Sequence, residues 1–378
     1  MNKLTLIATA AFGLETLVKQ ELTNLGFENI KTFDGRIEFE ADFSDIPKAN
    51  LWLRCADRVL LKMGEFKSTT FDELFEGTKA IPWEKLIPED GKFTVLAKSV
   101  KSALSSTPAC QSIVKKAVVE RLKEKYNTEW FKETGAEFTI QASLLKDTAI
   151  LTIDTSGDAL HKRGYRKKTV EAPIKETLAA ALVLLSFWNK DRLLIDPMCG
   201  SGTIPIEAAM IARNIAPGLK RNFASESWNI IDKKTWKNER ESAKNSIDPT
   251  GKLQIFGYDI NQENIKGCRT NAFSAGVEKD IVFAQKDIKD LWIDKQYGVI
   301  ISNPPYGERI SDYSEINKIN ISLHKTFKKK KGWSVYILTA DEMFPNYFKR
   351  SKPDRVRKLY NGKIKVNYYQ YYGEKPKE

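Results

Sequence analysis

"VIISNPPYGER", residues 299–309, decides how the second half of this sequence is read. An apolar β-forming run stops at an asparagine, two prolines and a tyrosine. The prolines have no backbone N–H and hold φ near −65°, so the strand ends in a stiff, polar exit. Strand-like runs of the same kind stand on either side: "RLLIDP", "LQIFGYDI" and "DIVFAQKD" before it, "GWSVYILTA" after it. Helical patterns such as "TIPIEAAMIARN" and "QENIKGCRTNAFSAG" lie between them. Near-continuous apolar strands with helical crossovers predict a parallel sheet covered on both faces. "RKLYNGKIKVNYYQYY" predicts a closing antiparallel hairpin around Asn361 and Gly362.

Residues 1 to about 160 mix strands and helices without a catalytic motif and read as a pair of small α/β units. "LHKRGYRKK", residues 160–168, marks the boundary: a basic run with a glycine and an aromatic. It is read either as a solvated linker or as a phosphate contact, with Tyr165 available for stacking on a base. The stretch from about 213 to 250 is long for a crossover. A helical insertion is expected there, with Trp228 and Trp236 in the core.

Composition narrows the function classes. The chain has 378 residues, 42% of them hydrophobic and 29% charged, as in a globular protein. No apolar run reaches membrane-spanning length. The opening "MNKLTLIATAAFGLETLVKQEL" reads as a strand and a helix rather than a signal peptide, which makes the cytoplasm the default location. Four cysteines, Cys55, Cys110, Cys199 and Cys268, form no CxxC pair, and there are two histidines, so neither a zinc site nor a disulfide framework is indicated. The net charge of +12 points to a polyanionic partner.

Ligands of open parallel sheets bind outside the carboxyl ends of the strands. Those ends carry "DPMCGSGT" (196–203), Asp259, Asp287 and Asn303. The glycine-rich turn is neither GxGxxG nor a Walker A loop, which argues against dinucleotides and nucleoside triphosphates. A carboxylate at 259 suits both hydroxyls of a ribose. Asp287 suits the exocyclic amine of adenine, with Ile288 against the ring face. A nucleoside without a phosphate clamp results; singly, each aspartate reads more readily as a helix N-cap, and it is the three at consecutive strand ends that favour a ligand.

These residues resemble a class I S-adenosylmethionine-dependent methyltransferase, and "NPPY" resembles the signature of enzymes that methylate exocyclic amines of bases. More of the chain, "LHKRGYR", "APIKETLAAAL", "DPMCGSGTIPIEAA" and "SNPPYGERI", is similar to the bacterial 23S ribosomal RNA guanine-N2 methyltransferases. The resemblance implies a Rossmann-like sheet with an antiparallel C-terminal hairpin over residues 161–378. It implies an RNA-binding region over 1–160, a ferredoxin-like segment (about 1–60) with a THUMP domain (about 44–155). It further implies S-adenosylmethionine as cofactor, no metal, and 23S RNA or a large-subunit precursor as partner. Asn303, Pro304, Pro305 and Tyr306 would hold the base. Thr177, Asp196, Pro197, Met198, Cys199, Gly200, Ser201, Gly202, Asp259, Ile260, Asp287, Ile288 and Asn303 would line the cofactor pocket, and Lys162, Arg163, Tyr165 and Arg166 would touch RNA. Cys199 lies in the cofactor loop and Cys268 in a helix, which disfavours a cysteine nucleophile. Two alternatives stay open: an adenine or cytosine amino methyltransferase acting on DNA or other RNA, and a non-catalytic RNA-binding assembly factor.

Overall fold

The computed structural model describes residues 3–169, 173–305, 313–328, 330–348 and 352–375. The N-terminal part runs β1 (Leu4–Ala10), α1 (Glu15–Asn24), β2 (Glu28–Phe33), β3 (Arg36–Ala41), α2 (Ile46–Trp52) and β4 (Ala56–Lys67). It continues with α3 (Phe71–Lys79), β5 (Lys92–Val100), α4 (Thr107–Tyr126), β6 (Glu137–Leu145) and β7 (Thr148–Asp154). Local chemistry sets the helix ends. Thr70 and Glu73 close a capping box on α3. Ser106 caps α4, Pro108 occupies its first turn, and Asn127 ends it at φ +49°. Cys110, Val114, Val118 and Leu122 recur every four residues along α4 and are buried.

The two small α/β units expected over residues 1 to about 160 share a sheet. All seven strands form one sheet, ordered β2-β3-β1-β4-β7-β6-β5. The reason is β4: its 12 residues pair with β1 on one side and with β7 on the other, so both modules share a strand.

The second part contains α5 (Glu176–Leu184), β8 (Leu194–Asp196), α6 (Thr203–Ala212), α7 (Lys233–Asn245), β9 (Ile255–Asp259) and α8 (Gln262–Ala275). Then come β10 (Ile281–Gln285), β11 (Gly298–Ser302), α9 (Tyr313–Phe327), β12 (Trp333–Thr339), α10 (Phe344–Tyr347), β13 (Arg355–Asn361) and β14 (Ile364–Tyr371). The sheet order is β10-β9-β8-β11-β12-β14-β13. The first five strands in that order pair in parallel; β14 runs antiparallel to β12, and β13 pairs with β14 as the hairpin. β11 is buried at every position, as a strand covered on both faces must be.

The segment between α6 and β9 fastens the two sheets together. Trp228 is 1% exposed and stacks on Phe138 of β6, with ring centroids 5.2 Å apart. Trp236 stacks on Phe223. The Arg221 guanidinium donates to the carbonyls of Ser156, Asp158, Ala159 and Lys162. Ser225 Oγ donates to the Thr155 carbonyl, and the Gly218 amide to Leu51. Both tryptophans are therefore core, as expected. Replacing Trp228 with alanine should cost about 3–5 kcal/mol, the usual price of deleting a buried aromatic. Guanidinium unfolding measures this; a loss below about 1 kcal/mol would mean that the stack contributes little.

Candidate active site

β8 and β11 are neighbours, yet about a hundred residues separate them in sequence. From β8 the sheet grows one way through β9 and β10, and from β11 the other way, so a crevice opens outside their carboxyl ends. Asp196 ends β8 and Ser302 ends β11. Ser302 Oγ donates to Asp196 Oδ1 at 2.8 Å, and the Met198 amide donates to the same oxygen at 3.2 Å. Burial raises the Asp196 carboxyl from its usual 3.8 to about 7. The two hydrogen bonds oppose that shift, and the neighbouring Asp259 adds to it.

The loop 196–203 is stitched to β9. The Cys199 amide donates to the Tyr258 carbonyl at 2.8 Å, and the Gly200 amide to Asp259 Oδ2 at 2.9 Å. Gly200 and Gly202 adopt φ of +55° and +79°, a conformation that side chains disfavour, which explains the glycines of this turn. Cys199 and Cys268 are buried with their sulfurs 3.8 Å apart, and the Cys268 thiol donates to the Gly200 carbonyl. Burial pushes the Cys199 thiol well above its usual range. A buried, protonated thiol is a poor nucleophile, in keeping with the rejection of cysteine catalysis.

Asp259 is more heavily used by the protein than its sequence position suggests. Its Oδ1 accepts from the Asn261 amide at 2.9 Å and from Asn264 Nδ2 at 3.0 Å. With Gly200 on Oδ2, roughly one of about four acceptor sites is left. Asp287 caps the 3-10 turn Ile288–Asp290, accepting from the Lys289 amide at 3.0 Å. Ile288 corrects an expectation: it is 6% exposed and packs in the core with Ile195, Leu291 and Ile300, so it presents no ring contact. Ile260, beside Asp259, is 65% exposed and is the apolar surface available there. Asn303 follows β11, and its Oδ1 is sealed from solvent without a hydrogen-bond partner among the described residues. Pro304 is buried and Pro305 half-buried; Tyr306 lies outside the described residues.

The basic run has a different task from the one expected. Tyr165 is 2% exposed and donates to Glu207 Oε1 at 3.0 Å, so it cannot stack on a base. Arg163 is equally buried. It pairs with Glu207 at 3.6 Å and donates to the carbonyls of Leu160 and Arg54. Arg166 holds Glu176, the Ile174 carbonyl and Thr203 Oγ1. Of the four residues expected to touch RNA only Lys162 is exposed, paired with Asp158 four residues earlier; Lys167 and Lys168 at the end of the run are exposed as well. The run is thus a clamp between the N-terminal part and the loop. Asn271, which sequence reasoning missed, completes it: Oδ1 accepts from the Lys167 and Lys168 amides, and Nδ2 donates to the Ser201 carbonyl. Thr177, in the first turn of α5, is buried. Ser302 and Asn264 were also missed. Ser302 precedes the NPPY sequence directly, and Asn264 lies one turn into α8, the only signals they carry.

Comparison with known proteins now bears on this site. Residues 163–370 match the family described as RMKL-like, methyltransferase domain. The chain belongs to this family. Residues 5–60 match the RlmL ferredoxin-like domain and residues 68–154 the THUMP domain. The Bacillus subtilis (strain 168) protein YpsC, provisionally named as an RNA methyltransferase, is 48% identical over 99% of this chain and 97% of its own length. The ribosomal RNA large subunit methyltransferase K/L of Psychromonas ingrahamii is 35% identical over 88% of this chain, but the match spans only 45% of that protein. A Listeria monocytogenes structure titled as a predicted N6-adenine-specific DNA methylase is 48% identical, covers 99% of this chain and 97% of its own, and superposes with a TM-score of 0.94. SMU.472, solved in complex with SAH, is 45% identical, covers the full length of both chains, and has a TM-score of 0.94.

The chain is a methyltransferase, and its methyl donor is S-adenosylmethionine. The residues present fit that group: a left-handed glycine turn, an acceptor site left on Asp259, and exposed Ile260 beside it. Among the described residues no His, Cys, Asp or Glu cluster suits a metal, and no helix is long and apolar enough to cross a membrane.

A raised carboxyl stabilises the folded state fully below its unfolded value and loses that contribution as pH climbs through the folded one. The stability of the wild type relative to Asp196→Asn should therefore fall between about pH 4 and pH 7 and level off above. A difference independent of pH would contradict the raised value.

Proposed function

We propose that the chain methylates the exocyclic N2 amine of a guanosine in 23S ribosomal RNA, with residues 161–378 carrying the chemistry and residues 1–160 gripping RNA. The observation that carries this reading is Asn303 Oδ1, a buried acceptor at the switch point with no hydrogen-bond partner among the described residues. Leaving such a group unpaired costs about 1–3 kcal/mol, a cost that a site bears when the partner is its substrate. An exocyclic base amine is flat and weakly nucleophilic because its lone pair is delocalised into the ring. Asn303 Oδ1 accepts one of its hydrogens and the Pro304 carbonyl the other, drawing the nitrogen toward tetrahedral geometry. Pro304 and Pro305 stiffen the backbone that holds both acceptors in place. S-adenosylmethionine supplies an electrophilic methyl when bound. The chain's remaining task is orientation, and the amine proton leaves to water afterwards. On the cofactor side, the remaining acceptor site of Asp259 takes a ribose hydroxyl, Asp287 the adenine amine, and Ile260 the ring face.

RNA as substrate is supported by the THUMP match, the net charge of +12 and the name of the K/L relatives. Such a substrate implies a cytoplasmic protein. The Listeria title favours DNA instead, and one assay separates the two. Labelled methyl should pass to 23S RNA isolated from cells lacking this protein, appear as N2-methylguanosine, and fail to pass to DNA. Transfer to DNA alone would replace the reading, and cofactor binding without turnover on either would make the chain an assembly factor. Asn303→Ala should lower transfer about a hundredfold or more while RNA and cofactor affinities stay within about twofold. Equal loss of binding and turnover would contradict the role given to Asn303.

A further inference from the structure

We propose that Phe12 and Tyr360 form a stacking platform for unpaired bases of the RNA strand flanking the target nucleotide; this rests on the RNA reading above. Phe12, in the loop between β1 and α1, is 56% exposed, and Tyr360 of β13 is 37% exposed. Their rings meet edge to face with centroids 6.0 Å apart, one from each half of the molecule. The contact is built rather than incidental. Gly13 has φ +91°, and a Cβ there would lie 2.7 Å from the Lys358 carbonyl oxygen, so the loop reaches the hairpin only as glycine.

Strand register places this pair on the reacting edge of the sheet. Thr339, the last residue of β12, pairs with Asn367, whereas Tyr360 pairs with Lys365, two residues farther out. Tyr360 thus overhangs the carboxyl edge by roughly 7 Å. Three inter-strand steps separate β13 from β11, about 14 Å across the sheet. A strand with its target base at Asn303 passes this pair within a few nucleotides.

The surroundings are cationic. Val356, Lys358 and Tyr360 alternate onto one face of β13, with Lys365 opposite Tyr360. Arg355, Lys358 and Lys363 are exposed and make no ion pair among the described residues. Lys365 pairs with exposed Glu342 at 3.3 Å. Glu15, the first residue of α1 after the Phe12 loop, is committed to the Gly13 and Gly35 amides. Every base has a π-face, so aromatic rings amid exposed lysines suit a single strand of any sequence.

The test uses the full chain and a 23S RNA fragment containing the target. The double substitution Phe12→Ala, Tyr360→Ala should raise the RNA Kd and KM about ten- to a hundredfold. It should leave kcat at saturating RNA and the S-adenosylmethionine Kd unchanged, while Tyr360→Phe retains wild-type affinity. Unchanged RNA affinity in the double variant overturns the platform and leaves the proposed function intact. Failure of the wild type to bind the fragment overturns both. A self-associated species lost in the variant, with RNA affinity kept, assigns the face to a second copy and overturns the platform. Should the alanines impair folding, Lys358→Glu with Lys363→Glu tests the same surface. It should weaken RNA binding and flatten its salt dependence, and an unchanged salt slope counts against the platform.

Discussion

The hydrogen bond from Ser302 Oγ to Asp196 Oδ1 closes the place where the sheet changes direction. Two strands that run in parallel but arrive from distant parts of the chain must end level for their carboxyl ends to form one site. The backbone pairing of Val299 with Leu194 and Ile300 with Ile195 sets their register, and this bond ties their ends. It sits between residues that are both essentially buried, so water does not compete with it. The glycine loop departs from one of its partners and Asn303 from the other. A contact of 2.8 Å thus joins the two strand ends from which the glycine loop and Asn303 depart.

The strand-end carboxylates hold structural bonds and keep acceptor capacity beyond them. Asp259 ties the glycine loop to β9 through Gly200 and holds the start of α8 through Asn261 and Asn264, with capacity left for a ligand. Asp287 caps a turn and retains acceptor capacity for a ligand. The choice between a structural cap and a ligand-binding residue is therefore a false one here. A carboxylate has about four acceptor sites and can divide them. Asn303 is the contrast: its side-chain oxygen accepts no hydrogen bond among the described residues.

The joint between the two sheets is polar where such joints are often greasy. Arg163, Glu207 and Tyr165 form a buried group that also touches the Arg54 carbonyl. Burying these charges is costly unless they are paired and bonded, so the group tolerates few alternative arrangements. Arg221 adds to the same joint by gathering four carbonyls from the end of β7 and the run beyond. Burial lowers its guanidinium to about 10, which leaves it charged at neutral pH. The N-terminal part and the loop are held by one continuous set of bonds running through residues 154–168.

By itself, the sequence determined the parallel sheet, its closing hairpin and the four strand ends, because burial on both faces forces continuous apolar runs and sharp polar exits. It also placed Trp228 and Trp236 in the core and excluded the cysteines as nucleophiles. Only the tertiary structure decided the fate of the basic run. A lysine- and arginine-rich stretch has the same composition whether it faces solvent or a buried glutamate, and Glu207 lies some forty residues away. The same holds for the sharing of β4, which depends on both of its edges being paired. It holds also for Ile288 and Ile260: each is an isoleucine following an aspartate, and only the packing around it decides which turns inward. Pairing partners distant in sequence leave no local trace, and that is where the reading of residues alone ran out.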